Sequence, residues 1–292
     1  MQIREPWPLA RTRQRRREFA SVFDGVPEGA LGDGLEIGGG DGFIASLVAP
    51  RCRSFVTTDA YRPRLADGAA AAPGGLRRLI CDAARLPFAD ASFDFILSSS
   101  VLEHIRDRAA VYRELQRCLR PGGIMLHIMP SRTWKTLQLL FYYPNLVVGG
   151  IDLLLGALGR ALERRAPAPP PSSQTCDTNR WCDQRRITLS LVLKNVVPQP
   201  HGEFPGNFSE WRGFGADAWT REFASTGLTV QRVVLLPLYS GYGFGFERLR
   251  RFGERRGLSS HNAFILTREP EAPPALAWFE RSTRALPPAA RV

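Results

Sequence analysis

The stretch Leu35–Gly42, "LEIGGGDG", places four glycines directly after Glu36 and Ile37. Glycine has no Cβ, so glycines in this number indicate a backbone that turns sharply or comes very close to another group. In open α/β sheets, ligands bind just beyond the carboxyl ends of the strands. We therefore predict that this turn follows the first strand of such a sheet and contacts a ligand.

The sequence around this turn predicts a parallel sheet. Apolar runs alternate with helical stretches from about residue 33 to 130, which is typical of a sheet with helices on both faces. Two further strands are predicted in "LTVQRVVLL" and "HNAFILT", after a helix in "ADAWTREFASTG". The first five predicted strands are Leu35–Ile37, Ser54–Thr58, Leu76–Cys81, Phe93–Ser98 and Ile124–Met129.

The chain divides into three predicted segments. Residues 1–30 form a basic helical segment, residues 31–268 form the α/β domain, and residues 269–292 form a tail rich in proline and alanine. Regular alternation fails between residues 131 and 215, so we predict a large insert after the fifth strand.

Composition limits the partners and the compartment. The 292 residues are 44% hydrophobic, enough for a buried core, and carry a formal net charge of +11 that favours anionic partners in general. The five cysteines lack paired spacing, which argues against a disulfide framework. No apolar run follows the N-terminal arginines as in a secretory signal. We therefore expect a cytoplasmic protein.

Two ligand classes fit a glycine-rich turn. A dinucleotide turn has the pattern GxGxxG, but Phe43 stands where the third glycine is required. The alternative pattern has an acidic residue followed by glycines at every second position, as in Glu36, Gly38, Gly40 and Gly42. A carboxylate at the strand end attracts a cationic ammonium group and repels a pyrophosphate. The turn therefore indicates a ligand with a cationic group.

Together these motifs resemble the class I S-adenosylmethionine-dependent methyltransferases, in particular the type-11 group to which ubiquinone and menaquinone methyltransferases are related. "LEIGGGDG" looks like their first motif, and "TTDA" places Asp59 at the end of the second strand. "CDAARLPFADASFDFILSSSVLEHI" and "LRPGGIML" are similar to their next blocks. The resemblance covers roughly residues 30–130 and, more faintly, 215–268.

The resemblance implies a Rossmann-like seven-stranded sheet and S-adenosylmethionine as cofactor. By position in the motifs, Asp59 and its neighbour Ala60 would meet the ribose, and Asp82 and Ala83 the adenine. Ser99 would close on the methionine end. The implied cofactor-binding residues are Glu36, Gly38, Gly40, Asp59, Ala60, Asp82, Ala83 and Ser99.

Methyl transfer needs a general base only where the acceptor holds a proton of high pKa. The candidate bases are His201, His127 and His104, whereas His261 is predicted to lie in the last strand, away from the site. Some relatives bind a divalent metal through Glu-x-x-Glu-His at this position. Ser100 replaces the first glutamate here, and we therefore expect no metal.

The acceptor is less defined by the sequence. The fourth strand ends in "SSSVL" and lacks the Asn-Pro-Pro-aromatic turn that similar enzymes use for exocyclic amines, which argues against nucleic acid and favours an oxygen or carbon acceptor.

Residues 137–158 are almost entirely apolar. A helix there either covers the core or rests on an anionic membrane at its inner face, which would imply a lipid-linked rather than a small acceptor. An RNA methyltransferase and a non-catalytic S-adenosylmethionine-binding protein remain the alternatives, and the oligomeric state is undetermined.

Overall fold

The computed structural model describes residues 7–61, 76–163, 197–239, 242–244, 246–279 and 285–286, and for 7–8, 152–163 and 285–286 it describes the backbone alone. The chain forms two compact units. One contains residues 1–138 and 200–292, and the other contains residues 139–199. The second unit is therefore shorter at both ends than the insert predicted for residues 131–215.

The described elements alternate as the sequence predicts up to residue 130. The strands are β1 Asp33–Ile37, β2 Ser54–Asp59, β3 Leu76–Ile80, β4 Phe93–Ser99, β5 Leu119–Pro130, β6 Thr229–Leu235, β7 His261–Thr267 and β8 Ala285–Leu286. The helices are α1 Trp7–Phe23, α2 Phe43–Val48, α3 Arg108–Cys118, α4 Arg132–Glu163, α5 Asn207–Gly213, α6 Ala216–Ser225 and α7 Glu247–Arg255. Short 3-10 helices cover Ala49–Arg51, Leu102–His104 and Pro274–Phe279.

The strands form one mixed sheet in the order β3-β2-β1-β4-β5-β7-β6-β8. Strands β1 to β5 run parallel, whereas β7 is antiparallel to both β5 and β6. The seven-stranded Rossmann-like sheet is thus confirmed, and β8 adds a short edge strand that the proline-rich tail did not indicate. Because the parallel strands point the same way, their carboxyl ends meet at one edge.

Each face of the sheet is covered by its own apolar layer. Side chains alternate between the faces along a strand, so Ile96 of β4 joins the first layer, while Phe95 and Leu97 join the second. Helices α3 and α6 supply the first layer, for example through Leu115 and Trp219. Helices α1 and α2 supply the second layer. The two layers hold the sheet in place and leave its carboxyl edge for polar residues.

Helix α1 is part of the second layer. The ring of Phe23 lies 6.2 Å from that of Phe95 in β4 and 5.9 Å from that of Phe279. Phe279 belongs to the tail and is fully buried. Aromatic pairs at such distances add to the free energy gained by burial. The N-terminal segment and part of the tail are therefore packed on the same domain core.

Helix α4 runs from Arg132 to Glu163 and contains Pro144 in its interior. In the part of the chain that the structure describes, no helix combines the length and the apolarity that a membrane crossing requires. The side chains predicted to form an apolar face from residue 152 onward lie outside the described residues.

A buried ion pair joins the start of α4 to α5. The Nζ atom of Lys135 lies 2.7 Å from an Oε atom of Glu210, and both side chains are fully buried. Removing one partner of such a pair leaves an uncompensated charge in the interior.

We predict that Glu210→Ala lowers the free energy of unfolding by about 3 to 5 kcal/mol, because Lys135 would stay buried without its partner. Chemical denaturation followed by circular dichroism measures the change. The control is Glu203→Ala, which removes a partly exposed carboxylate from a surface pair with Arg106 and should cost less than about 1 kcal/mol. Equal, small losses in both variants would contradict the prediction.

Candidate functional site

The glycine turn after β1 is packed on one side and open on the other. Gly38 has φ 67°, and a Cβ there would lie 2.4 Å from Val101. A Cβ on Gly39 would lie 1.9 Å from Thr57 Oγ1, so no side chain fits at either position. Gly40 has φ 54°, and a Cβ there would meet nothing within 4 Å. The turn therefore offers bare backbone and free space at Gly40.

Asp59 stands beside this free space, at the last residue of β2. One carboxylate oxygen accepts a hydrogen bond from the Gly40 N–H at 2.9 Å, and the other accepts one from the Tyr61 N–H at 2.9 Å. Two backbone donors thus fix the carboxylate, while each oxygen keeps capacity for another donor. Such a group can accept hydrogen bonds from two adjacent hydroxyls.

Glu36 lies beneath the turn. Its side chain is buried and accepts a hydrogen bond from Thr57 Oγ1 at 2.7 Å. Burial raises the pKa of this carboxyl group to about 7. A cation bound beside it would stabilise the ionised form and lower that pKa. An ionised Glu36 would therefore attract a ligand with an ammonium group through its negative charge.

The remaining predicted cofactor residues lie at the same edge. Ala60 follows Asp59 and is exposed. Asp82 is exposed and follows β3, where its side chain accepts a hydrogen bond from the Ala84 N–H at 2.9 Å. Ala83 packs against the first apolar layer. At the carboxyl ends of β1, β2 and β3 thus lie the glycine turn, the carboxylate of Asp59 and the loop that contains Asp82.

Helix α1 reaches the end of β4, which the sequence analysis missed. Arg15 donates a hydrogen bond to Ser99 Oγ at 2.9 Å and forms an ion pair of 3.1 Å with Glu18. The N-terminal arginines were interpreted only as an attraction for anions. The spacing of Arg15 and Glu18, three residues apart on one helix, is the signal that identifies them as neighbours.

A cavity of about 350 Å³ lies next to this position. Its volume suits a small molecule or one end of a larger one. It is lined by polar residues of α1 and by Ser100, His104, Trp134, His201, Tyr239 and His261.

A second, larger cavity lies between α1 and α7, with a volume of about 620 Å³. Its charged walls include Arg13, Arg17, Arg250 and Glu254. It contains none of the residues at the carboxyl ends of the parallel strands, so it is not the candidate site despite its size.

Two of the three candidate bases, His104 and His201, border the smaller cavity. Their ring centroids lie 4.5 Å apart, and the ring of Trp134 lies 5.0 Å from that of His201. Burial, together with the charges of His104, His261 and Lys135, lowers the pKa of His201 to about 4. His201 is therefore neutral near pH 7 and a weak base.

The third candidate, His127, does not border the cavity. It is fully buried, and its Nδ1 atom lies 2.7 Å from Ser98 Oγ. Its ring stacks on Phe223 of α6, in the first apolar layer. Burial lowers its pKa to about 3. This position corrects the expectation that His127 approaches the carboxyl edge, because its side chain points to the face of the sheet.

The structure also contradicts the prediction that His261 lies away from the site. His261 is the first residue of β7 and pairs with Pro130, the last residue of β5. Because β7 is antiparallel, its beginning lies at the edge where β5 ends. The His261 ring therefore lines the cavity.

One group among the described residues has the donors for a metal ion. The ligand atoms of Glu103, His104 and His201 lie within 4.8 Å of one another. Glu103 is fully buried, and neither carboxylate oxygen has a hydrogen-bond partner among the described residues. Burial raises its pKa to about 8. A single carboxylate with two imidazoles is a poor donor set for Mg²⁺, which prefers oxygen ligands.

Comparisons with known proteins agree with this geometry. A family model described as a methyltransferase domain matches residues 35–127. An uncharacterized methyltransferase from Mycobacterium sp. (strain JLS) is 40% identical over 90 residues, which are 31% of this chain and 35% of that protein. The ubiquinone/menaquinone biosynthesis C-methyltransferase UbiE from Nitrosospira multiformis is 32% identical over 135 residues, 43% of this chain and 53% of that protein. The matches thus span about a third to a half of these relatives.

Solved structures share the fold over most of the chain. One chain of the Haloferax volcanii complex between the Trm112 methyltransferase activator and a methyltransferase aligns with a TM-score of 0.51 at 12% identity, covering 92% of this chain and 99% of that one. At this identity the likeness shows the fold alone. The family model and the sequence relatives confirm the resemblance predicted from the motifs, and with it S-adenosylmethionine as the cofactor of this domain. The part of the chain that these comparisons identify as similar to a methyltransferase domain is residues 35–127.

Proposed function

We propose that this protein transfers a methyl group from S-adenosylmethionine to an oxygen of a small or lipid-linked acceptor. The observation that carries the proposal is the open backbone at Gly40 beside the fixed carboxylate of Asp59. The histidine-lined cavity adjoins Ser99 at the same sheet edge. Donor and acceptor would therefore meet at the end of β4.

The described residues fit the donor by charge and by shape. Asp59 would accept hydrogen bonds from the ribose hydroxyls, and Glu36 would attract the ammonium group. Asp82 and Ala83 would border the adenine, and Ser99 the methionine end. When bound, S-adenosylmethionine supplies a methyl group that its positive sulfur already activates. The protein must mainly align the acceptor and exclude water.

The acceptor cavity supports an oxygen acceptor. The rings of His104, His201 and Trp134 pack closely there, so they restrict water and offer imidazole nitrogens to a hydroxyl group. Hydroxyl groups of high pKa require a base during methyl transfer. His104 and His201 thus stay candidates, whereas the burial of His127 argues against it.

An RNA acceptor is the second candidate, because the net charge of +11 favours a polyanion. The missing amine-binding turn at the end of the fourth strand argues against base methylation. A lipid-linked acceptor is favoured by helix α4, where apolar side chains at a spacing of three and four residues are exposed. These are Leu140, Tyr143, Val147 and Ile151.

We predict that Asp59→Ala weakens the binding of S-adenosylhomocysteine by at least about tenfold, since a charge-assisted hydrogen bond contributes about 1.5 to 3 kcal/mol. Isothermal titration calorimetry measures the affinity. Asp90→Ala is the control, because Asp90 is largely exposed and pairs with Arg117. Unchanged affinity in Asp59→Ala, or uptake of a nicotinamide dinucleotide in place of S-adenosylhomocysteine, would contradict the assignment.

We expect no Mg²⁺ binding at Glu103, His104 and His201, because this group offers one carboxylate and two nitrogen donors. A calorimetric titration of the wild-type protein with Mg²⁺ at pH 7 should give only the heat of dilution. Binding of one equivalent that disappears in Glu103→Gln would show that the prediction of no metal is wrong.

We predict that the protein sediments with vesicles of anionic phospholipid at low salt, and that Val147→Glu reduces the bound fraction several-fold. The substitution places a negative charge in the exposed apolar stripe of α4. Val197→Glu is the matched control, because both valines are about equally exposed, at 62% and 59%. Equal sedimentation of the two variants would exclude the stripe as the contact.

A further inference from the structure

Three side chains from distant parts of the chain converge on His261. Its Nδ1 atom lies 2.9 Å from Glu18 Oε1 on α1 and 2.7 Å from the hydroxyl of Tyr239, which follows β6. Its Nε2 atom lies 3.4 Å from Ser100 Oγ. The ring is almost fully buried, yet it lines the cavity proposed for the acceptor. Nδ1 is thus held by a carboxylate, while Nε2 lies near the hydroxyl of Ser100 at the cavity and 3.3 Å from the hydroxyl of Tyr239.

Glu18 is ionised at neutral pH. Burial alone raises its pKa, but the charges of Arg15 and His261 and the hydrogen bonds from His261 and Gln14 outweigh burial and lower the pKa to about 2. An ionised carboxylate only accepts hydrogen bonds. Nδ1 of a neutral His261 must therefore carry the proton, and Nε2 keeps its lone pair.

The other cavity histidines differ in their electrostatic surroundings. His201 has its pKa lowered to about 4 by burial and by nearby positive groups. A carboxylate oxygen of Glu103 lies 4.0 Å from Nε2 of His104. Because burial raises the pKa of Glu103 to about 8, this group is mostly protonated at neutral pH and gives little negative charge. His261 instead faces an ionised carboxylate.

We propose that His261 is the general base for the acceptor hydroxyl and that Glu18 is the positioning residue that fixes its tautomer. The proposal deepens the proposed function and rests on it. The acceptor proton moves to Nε2 of His261 as the acceptor oxygen forms its bond to the methyl carbon. The bond between that carbon and sulfur breaks, and its electron pair stays on sulfur, which gives S-adenosylhomocysteine. The imidazolium is stabilised by Glu18 until the proton passes to solvent.

Arg15 connects this pair to the donor side of the site. The same guanidinium donates to Glu18 and to Ser99, the residue implied to border the methionine end of the donor. Helix α1 therefore positions the base and the end of β4 together.

Groups from several elements surround His261. Tyr239 is neutral, because burial raises its pKa well above the usual value. The groups that face His261 are Gln14, Arg15 and Glu18 from α1, Ser100 after β4, Trp134 from α4, His201 and Tyr239.

The test is a titration of ¹⁵N-histidine-labelled full-length protein by long-range ¹H–¹⁵N NMR, with each ring assigned from single His→Gln variants. We expect the neutral form of His261 to be protonated at Nδ1. We also expect Glu18→Gln to shift the neutral ring toward protonation at Nε2, since the amide that replaces the carboxylate can donate to Nδ1. Glu28→Gln, which changes an exposed carboxylate near the same helix, should leave the tautomer unchanged.

Protonation of neutral His261 at Nε2 in the wild-type protein, or an unchanged tautomer in Glu18→Gln, would overturn the proposal. Neither result depends on an acceptor or a donor. Glu18→Gln keeps the shape of the side chain, and the tautomer in the wild-type protein needs no variant at Glu18. The tautomer of His261 in the wild-type protein can therefore be measured even if one variant folds poorly.

Methyl transfer to phenols of graded acidity separates the base from the proposed function. With labelled S-adenosylmethionine, we expect His261→Gln to slow transfer at least about a hundredfold for the least acidic phenol, and less for the most acidic, which needs little help from a base. Equal slowing for all phenols would overturn the role as base. No transfer by the wild type to any phenol would count against an oxygen acceptor of this class, and the NMR result would still decide between Glu18 as a positioning residue and a merely structural one.

Discussion

The site depends on the contact between the glycine turn and the end of β2. The Gly39 N–H donates to the Thr58 carbonyl, and the Gly40 N–H donates to Asp59, both at 2.9 Å. A side chain at Gly39 would collide with Thr57, so this approach requires glycine. This contact fixes both the exposed backbone at Gly40 and the carboxylate of Asp59. Everything that a nucleoside would touch at this edge is placed relative to it.

The rest of the site is assembled from parts that are far apart in sequence. Residues of α1 and β7 meet at His261, and the cavity beside them also takes residues from α4 and from the loop before α5. These parts are brought together because α1 packs on one face of the sheet and β7 is inserted between β5 and β6. The glycine turn thus comes from one short stretch of sequence, whereas the cavity around His261 is formed by residues that only the tertiary structure brings together.

This difference explains what the sequence could predict. Gly38 and Gly40 follow from the glycine spacing after a strand, and the structure places Gly40 beside Asp59, whose role the resemblance implied. His127 was misjudged although its alternation with Met125 and Met129 indicates the face of the sheet on which all three lie. His261 was misjudged because the direction of the last strand decides which end reaches the site, and no local pattern gives that direction. The pairing of Glu18 with His261, 243 positions apart, is likewise invisible in local sequence.

The burial of Phe279 against Phe23 bears on how the domain should be cut for expression. The family-model match over residues 35–127 omits both α1 and the tail. A shortened chain that ends soon after β7 would keep every glycine of the turn but would uncover Phe23 on the inner side of α1. That helix would then lose part of its packing, and the contacts of Arg15 and Glu18 at the sheet edge would weaken with it. A fragment chosen from the motifs alone would therefore keep the glycine turn and Asp59 but lose the surroundings of His261.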